Sequence, residues 1–156
     1  MRGSVLVSVF GLIMVMSSVV VGQDCVEMTP GKSLGPIAIG MSRADLERSG
    51  LALQPGPIMT WFEIGPYTVR MENDQVATIG LDGAHGLCVR VAGQDVSLEE
   101  SLEDLTQAIP GQCGPAQFNI GATVVDCAAG VMLLQHRAGI DLRVLAATPV
   151  VEDEEG

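Results

Sequence analysis

The cysteines are the residues of this chain whose chemistry is most constrained by their number. Cys25, Cys88, Cys113 and Cys127 make an even set that follows an apolar N-terminal segment, and in an oxidising compartment such cysteines form disulfides. Of the three possible pairings we favour Cys113–Cys127, which closes a short loop, together with Cys25–Cys88, which ties the early chain to its middle. A metal site would need paired Cys-x-x-Cys spacing or more histidines, so no metal and no cofactor are expected.

Acid–base chemistry has a few candidates. His85 lies near Asp82 and Cys88, and paired carboxylates occur at Glu99-Glu100 and at Glu103-Asp104. A general base needs a nucleophile within hydrogen-bond reach, but Cys88 is expected to be oxidised. Adjacent carboxylates on a helix point in different directions and more often form a solvated face. A carboxylate- or His-dependent hydrolase is therefore the least favoured function, and we expect no enzyme.

The segment Met59-Thr60-Trp61-Phe62 is the best candidate for a recognition surface. Tryptophan is enriched at binding hot spots, and this one follows a Pro-rich loop. The alternative is that Trp61 covers the hydrophobic core. We take Met59, Trp61 and Phe62 as the candidate binding residues.

The N-terminal 22 residues have the pattern of a secretory signal peptide. Arg2 is followed by an uncharged run from Val5 to Val21 and then by polar Gln23-Asp24. The alternative is a retained membrane anchor, because the run is just long enough to span a thin bilayer. We therefore expect a secreted or periplasmic protein that has no integral membrane span after cleavage.

The charge of the chain limits its partners. The formal net charge is −11, and loss of the +1 of Arg2 with the signal makes it −12. A phosphate backbone would be repelled, so nucleic acid is not an expected partner. Residues 150–156 include the acidic run from Glu152 to Glu155, and we expect this C-terminal tail to be disordered.

Two helices are predicted from their capping signals. Ser42 with Asp45 resembles a capping box, and Gly50 supplies a stop. Downstream, Ser97 with Glu100 makes a second capping box, and Pro110-Gly111 ends the helix.

Strands follow each helix. Alternating apolar residues predict a set of half-buried strands, and Asn73-Asp74 is a natural hairpin turn. The inward positions expected after the first helix are Phe62, Ile64, Tyr67, Val69, Met71, Val76 with Ile79 or Leu81, and then Leu87, Val89 and Val91. Strand-like runs after the second helix are 118–127, 131–136 and 140–146.

The two halves resemble each other. Residues 62–65 (FEIG) match 118–121 (FNIG), and 86–91 (GLCVRV) resemble 139–144 (GIDLRV). We predict an α+β fold in which a helix followed by three antiparallel strands is duplicated in tandem, with the helices packed on one face of an antiparallel sheet. One domain, residues 23–149, would contain repeats at about 33–92 and 93–147.

Residues 35–50, in which Gly40-Met41-Ser42-Arg43 leads into an amphipathic helix, resemble the start of the domain in a known protein family. The chain is similar there to the β-lactamase inhibitory protein family and to the related SmpA/OmlA-type outer-membrane lipoproteins. That family is also a tandem repeat of helices and antiparallel strands, in which a cysteine after the helix pairs with one in the next strand, as Cys113 and Cys127 do in the favoured pairing. The resemblance implies a secreted fold and transfers no functional residue.

These observations favour a secreted, non-catalytic protein-binding or inhibitor-like module whose partner is a secreted or envelope protein. The alternative is an envelope assembly or structural factor.

Overall fold

The computed structural model describes residues 24–83 and 86–147. The signal segment, His85 and the acidic tail lie outside the described residues. Short strands dominate the described part of the chain. In order, its elements are β1 Val26–Thr29, β2 Ser33–Leu34, β3 Ile37–Ala38, α1 Arg43–Arg48, β4 Gln54–Pro55, β5 Trp61–Ile64, β6 Tyr67–Glu72, β7 Gln75–Leu81, β8 Cys88–Val91, β9 Gln94–Ser97, α2 Leu102–Ala108, β10 Gln117–Asn119, β11 Ala122–Cys127, β12 Val131–His136 and β13 Gly139–Leu145.

The strands form two sheets. One has eight strands in the order β10-β11-β12-β13-β7-β6-β5-β4, and all its neighbours are antiparallel. The other has five strands in the order β3-β2-β1-β8-β9, in which β1 and β8 run parallel and the other pairs antiparallel. Residues far apart in sequence therefore meet at the β13–β7 and β1–β8 pairings.

Buried side chains from both sheets form a single hydrophobic core. The five-stranded sheet contributes Met28, Leu34 and Val89 among others, and the eight-stranded sheet contributes Ile79 and Leu142. The core is aliphatic, because the chain offers few aromatic residues.

Several local signals are confirmed. Ser42 caps α1 in a reciprocal capping box with Asp45, and the N–H of Gly50 bonds to the carbonyl of Glu47 just past the helix. Asn73 and Asp74 form the β6–β7 turn, both with positive φ. Of the predicted inward positions, these are buried: Ile64, Val69, Met71, Val76, Ile79, Leu81, Val89 and Val91.

The predicted fold class is wrong. Helices do not cover a sheet, because α1 and α2 have only 6 and 7 residues. The five-stranded sheet instead supplies the second set of buried side chains. The predicted start of α2 is also wrong: Ser97 ends β9, which pairs with β8, and Ser101 is the N-cap of α2. The helix does end just before Pro110-Gly111, as predicted. The fold of the described residues is mostly β, not α+β.

The predicted tandem arrangement is also not the one observed. Residues 86–91 lead into β8 of the five-stranded sheet, whereas 139–144 lie in β13 of the eight-stranded sheet. Ile64 is 5% exposed, but its supposed counterpart Ile120 is 96% exposed. A duplication in the sequence stays a prediction, but it does not describe this architecture.

The favoured disulfide pairing is confirmed. Cys25 is bonded to Cys88, which joins the residue before β1 to the start of β8, and Cys113 is bonded to Cys127 at the end of β11. Two disulfides are compatible with a secreted or periplasmic protein.

Candidate functional site

A cleft of about 440 Å³ lies on the eight-stranded sheet and contains two of the three predicted binding residues. The strands β5, β6, β7 and β13 contribute to it. The cleft is lined by Pro57, Ile58, Trp61, Phe62, Thr68, Gly80, Leu81, Asp82, Asp141 and Arg143.

The floor of the cleft is set by strand register. Arg143 on β13 pairs with Gly80 on β7, and Gly80 pairs with Thr68 on β6, so the three residues lie side by side across the sheet. A Cβ at position 80 would lie 2.3 Å from Oγ1 of Thr68. Because glycine has no side chain there, the Thr68 hydroxyl can lie against the backbone of β7.

Arg143 reaches the aromatic side of the cleft. Its guanidinium carbon lies 5.1 Å from the centroid of the Trp61 ring, which is within the range of a cation–π contact. The contact joins β13 to β5 across the two strands that separate them. It holds the indole at the cleft wall in a defined position.

The mouth of the cleft is apolar. Ile58 is 62% exposed and the adjacent Met59 is 94% exposed, in the loop between β4 and β5. Apolar side chains this exposed in one short loop beside a tryptophan are typical of a binding surface rather than of a core. Met59 itself is not among the lining residues.

Phe62 has a mixed role. It is half-buried and packs against the hydrophobic core, and Arg43 of α1 lies with its guanidinium carbon 4.8 Å from the ring centroid. It therefore supports the wall of the cleft from the core side, whereas Trp61 is not among the side chains packed against the core.

Asp82 and Asp141 form the acidic end of the cleft, and a histidine lies beside it. Nε2 of His136, the last residue of β12, lies 3.0 Å from Oδ1 of Asp141 on β13. Oδ1 is buried but has no hydrogen-bond partner with suitable geometry among the described residues, so Nε2 of His136 is close to it but poorly aligned for a hydrogen bond. One ligand atom each from Asp82, His136 and Asp141 lies within 4.8 Å of the other two.

The other candidate acid–base groups lie apart from this cluster. Nδ1 of His136 accepts a hydrogen bond from the backbone N–H of Ala138 at 3.3 Å. The paired carboxylates around α2 are exposed, and Asp104 accepts a hydrogen bond from the hydroxyl of the N-cap Ser101 instead of lying in the cleft.

Sequence reasoning missed the sheet floor and, apart from Asp82, the acidic end. Gly80, Thr68 and Arg143 were not singled out, because only strand register brings them beside Trp61. The available signal was in β13, where Asp141 and Arg143 alternate with buried Ile140, Leu142 and Val144 and so must face outward together.

Comparisons with known proteins leave the family open. No family model matches this chain, and neither curated proteins nor solved structures gave a match. Within residues 24–83 and 86–147, none of the helices has the length and apolar character needed to cross a bilayer.

Proposed function

We propose that this chain is a secreted or periplasmic, non-catalytic binding module whose recognition site is the Trp61 cleft. The observation that carries the proposal is the juxtaposition of an apolar, exposed mouth at Ile58 and Met59 with an aromatic wall and an acidic end.

The cleft chemistry favours one kind of partner: a protein segment in which an apolar side chain stands next to a lysine or arginine. The apolar side chain would pack against Trp61 and Ile58, while the cation would approach Asp82 and Asp141. The net charge of −11 adds a long-range attraction for a basic surface.

The compartment is part of the same proposal. Its support is the pair of disulfides and the signal-like residues 1–22. The mass of the protein purified from an oxidising expression compartment tests it, and loss of about 22 residues is the expected result. An intact N-terminus that remains with the membrane would favour a retained anchor.

The resemblance to the β-lactamase inhibitory protein family is compatible with an inhibitor-like binder, but it stays a prediction. It covers residues 35–50, and the family's tandem arrangement is not the architecture described above. The role of an envelope assembly factor likewise stays an alternative.

A peptide array tests the binding chemistry directly. Each spot carries a short peptide with a leucine or phenylalanine followed by arginine, glutamine or glutamate, and labelled full-length protein with its disulfides formed is applied at low and high salt. We expect retention on the arginine peptides, less on glutamine and least on glutamate, with a loss at high salt because screening weakens exposed charges. Equal retention on arginine and glutamate peptides, or none on any spot, would overturn the proposal.

Two aromatic variants make a matched comparison. Trp61→Ala removes the cleft wall, and Phe118→Ala removes an 80% exposed ring on β10, the opposite edge strand of the same sheet. We expect Trp61→Ala to weaken binding by about 30-fold, the effect of a hot-spot residue worth about 2 kcal/mol. Phe118→Ala should leave affinity unchanged, and an equal loss with both variants would indicate non-specific adhesion.

A further inference from the structure

We infer that Asp82, His136 and Asp141 form a binding site for a divalent transition-metal ion, with Zn²⁺ the best-suited probe, at the acidic end of the cleft. The inference does not depend on the proposed partner, because metal binding is measured on the protein alone.

The three ligands come from adjacent strands in the middle of the eight-stranded sheet. Asp82 directly follows β7, Asp141 lies on β13, and His136 ends β12, and β13 pairs with both of the other strands. The sheet is a rigid support for Asp141 and His136, whose positions are set by the pairing of β12 with β13, and Asp82 lies one residue past the paired Leu81.

The ligand distances suit a metal ion. Ligands about 2.0–2.2 Å from Zn²⁺ are separated from each other by about 3.0–3.5 Å, and Nε2 of His136 and Oδ1 of Asp141 are already 3.0 Å apart. The atom from Asp82 lies within 4.8 Å of both. Side-chain rotation of a carboxylate covers the remaining difference of about 1–2 Å.

The charge and burial of the Asp141 carboxylate also favour the binding of a cation. Its Oδ1 is buried and lacks a well-aligned hydrogen bond among the described residues, and a buried carboxylate oxygen in that state is costly. Coordination to a metal ion would satisfy this oxygen.

The donor set selects the metal class. One imidazole nitrogen with two carboxylates suits Zn²⁺ and neighbouring divalent transition metals, whereas Ca²⁺ takes oxygen ligands almost alone. Three protein ligands leave at least one coordination position for water or for a group in the cleft.

Binding requires one local change at His136. With Nδ1 accepting the Ala138 N–H, Nε2 carries the proton of the neutral ring. A metal ion at Nε2 needs the other tautomer, so the proton must move to Nδ1 and the 3.3 Å bond from Ala138 must be given up. Nitrogen chemical shifts of the ring report this change.

The test is a calorimetric titration of chelator-treated, disulfide-intact full-length protein with Zn²⁺ and, separately, with Ca²⁺. We expect one site with a dissociation constant in the micromolar range for Zn²⁺ and at least 10-fold weaker binding of Ca²⁺. His136→Gln and Asp141→Asn should each weaken Zn²⁺ binding at least 10-fold, whereas Glu100→Gln, an exposed carboxylate outside the cleft, should not.

Two outcomes would overturn the inference: no Zn²⁺ binding below 1 mM, or Zn²⁺ binding that both site variants retain. If a variant is found unfolded by circular dichroism in chelator, ring-nitrogen NMR of the wild-type protein decides instead. A Zn²⁺-dependent switch of the His136 tautomer supports the site, and an unchanged spectrum at saturating Zn²⁺ refutes it. A bound ion would also compete with a basic partner group for Asp82 and Asp141, so Zn²⁺ should lower retention on the arginine peptides.

Discussion

The guanidinium carbon of Arg143 lies 5.1 Å from the centre of the Trp61 ring, although the two residues are 82 positions apart in sequence (143 − 61). The pairing of β13 with β7 places Arg143 on the same sheet as Trp61, with β7 and β6 between their strands. The contact therefore links the register of the sheet to the position of the candidate recognition residue.

Trp61→Ala should cost little stability. The indole is partly buried at the cleft wall but is not among the side chains packed against the core, and its cation–π contact is worth about 0.5–1 kcal/mol. We expect the free energy of unfolding to fall by about 1 kcal/mol, measured by urea denaturation. Ile79→Ala, at a fully buried position, serves as the comparison and should cost about 2–5 kcal/mol. A loss of 3 kcal/mol or more for Trp61→Ala would assign Trp61 to the core.

The N-cap of α1 should make stability depend on acid pH. The backbone N–H of Ser42 donates to Oδ2 of Asp45 at 3.0 Å, and this bond, with the Ser42 hydroxyl and Arg48, lowers the pKa of Asp45 below its usual 3.8. Because the folded-state pKa is the lower one, the stabilisation is present above about pH 4 and is lost as the pH falls through the folded-state value.

Urea midpoints at pH 6 and pH 3 test this expectation for the wild type and Asp45→Asn. The variant should be less stable than the wild type at pH 6, and the difference should shrink at pH 3. Glu47→Gln on the same helix controls for the loss of one negative charge. A difference between wild type and Asp45→Asn that is the same at both pH values would contradict the capping argument.

The two disulfides should contribute unequally. Cys25–Cys88 spans 63 positions and Cys113–Cys127 spans 14. On the chain-entropy model, removing the longer link by a double Cys→Ala change costs about 4 kcal/mol and removing the shorter one about 3 kcal/mol. Urea unfolding of the two double variants measures both values, and a larger loss for the shorter link would show that the entropy of loop closure is not the main term.

Local structure was predictable where one or two side chains close in sequence determine it. Ser42 and Asp45 cap each other within four residues, and Asn73-Asp74 favours one turn type, so both features could be read directly from the sequence. The alternation of apolar residues likewise placed β5 to β8 correctly.

Long-range pairing was not predictable in the same way. Ser97 carries the signal of a helix N-cap, and only its pairing with Cys88 on β8 makes it the end of β9. The parallel contact of β1 with β8 joins distant segments, so no local signal indicated that β8 belongs to a second sheet. The residues of the cleft show the same difference between local signals and strand pairing. Trp61 was identified by its residue type, whereas His136 and Asp141 meet only because β12 and β13 form a hairpin.

Two hairpins of the eight-stranded sheet have the same turn geometry but different residues. In the β6–β7 turn Asn73 and Asp74 have φ of 51° and 60°, and in the β10–β11 turn Ile120 and Gly121 have φ of 41° and 81°. Positive φ at both positions is typical of a type I′ turn, which favours asparagine followed by glycine. A β-branched isoleucine is strained there, and Ile120 is 96% exposed, so it has little packing to offset the strain.

Ile120→Asn should therefore stabilise the protein by about 1 kcal/mol, since a left-handed conformation costs an ordinary residue about 1–2 kcal/mol. The reciprocal change Asn73→Ile places isoleucine in the matching turn and should destabilise by a similar amount. Urea denaturation of both variants measures the pair. If Ile120→Asn were to lower stability, the isoleucine side chain would have to make a stabilising contact in the folded protein, and the strain argument would fail.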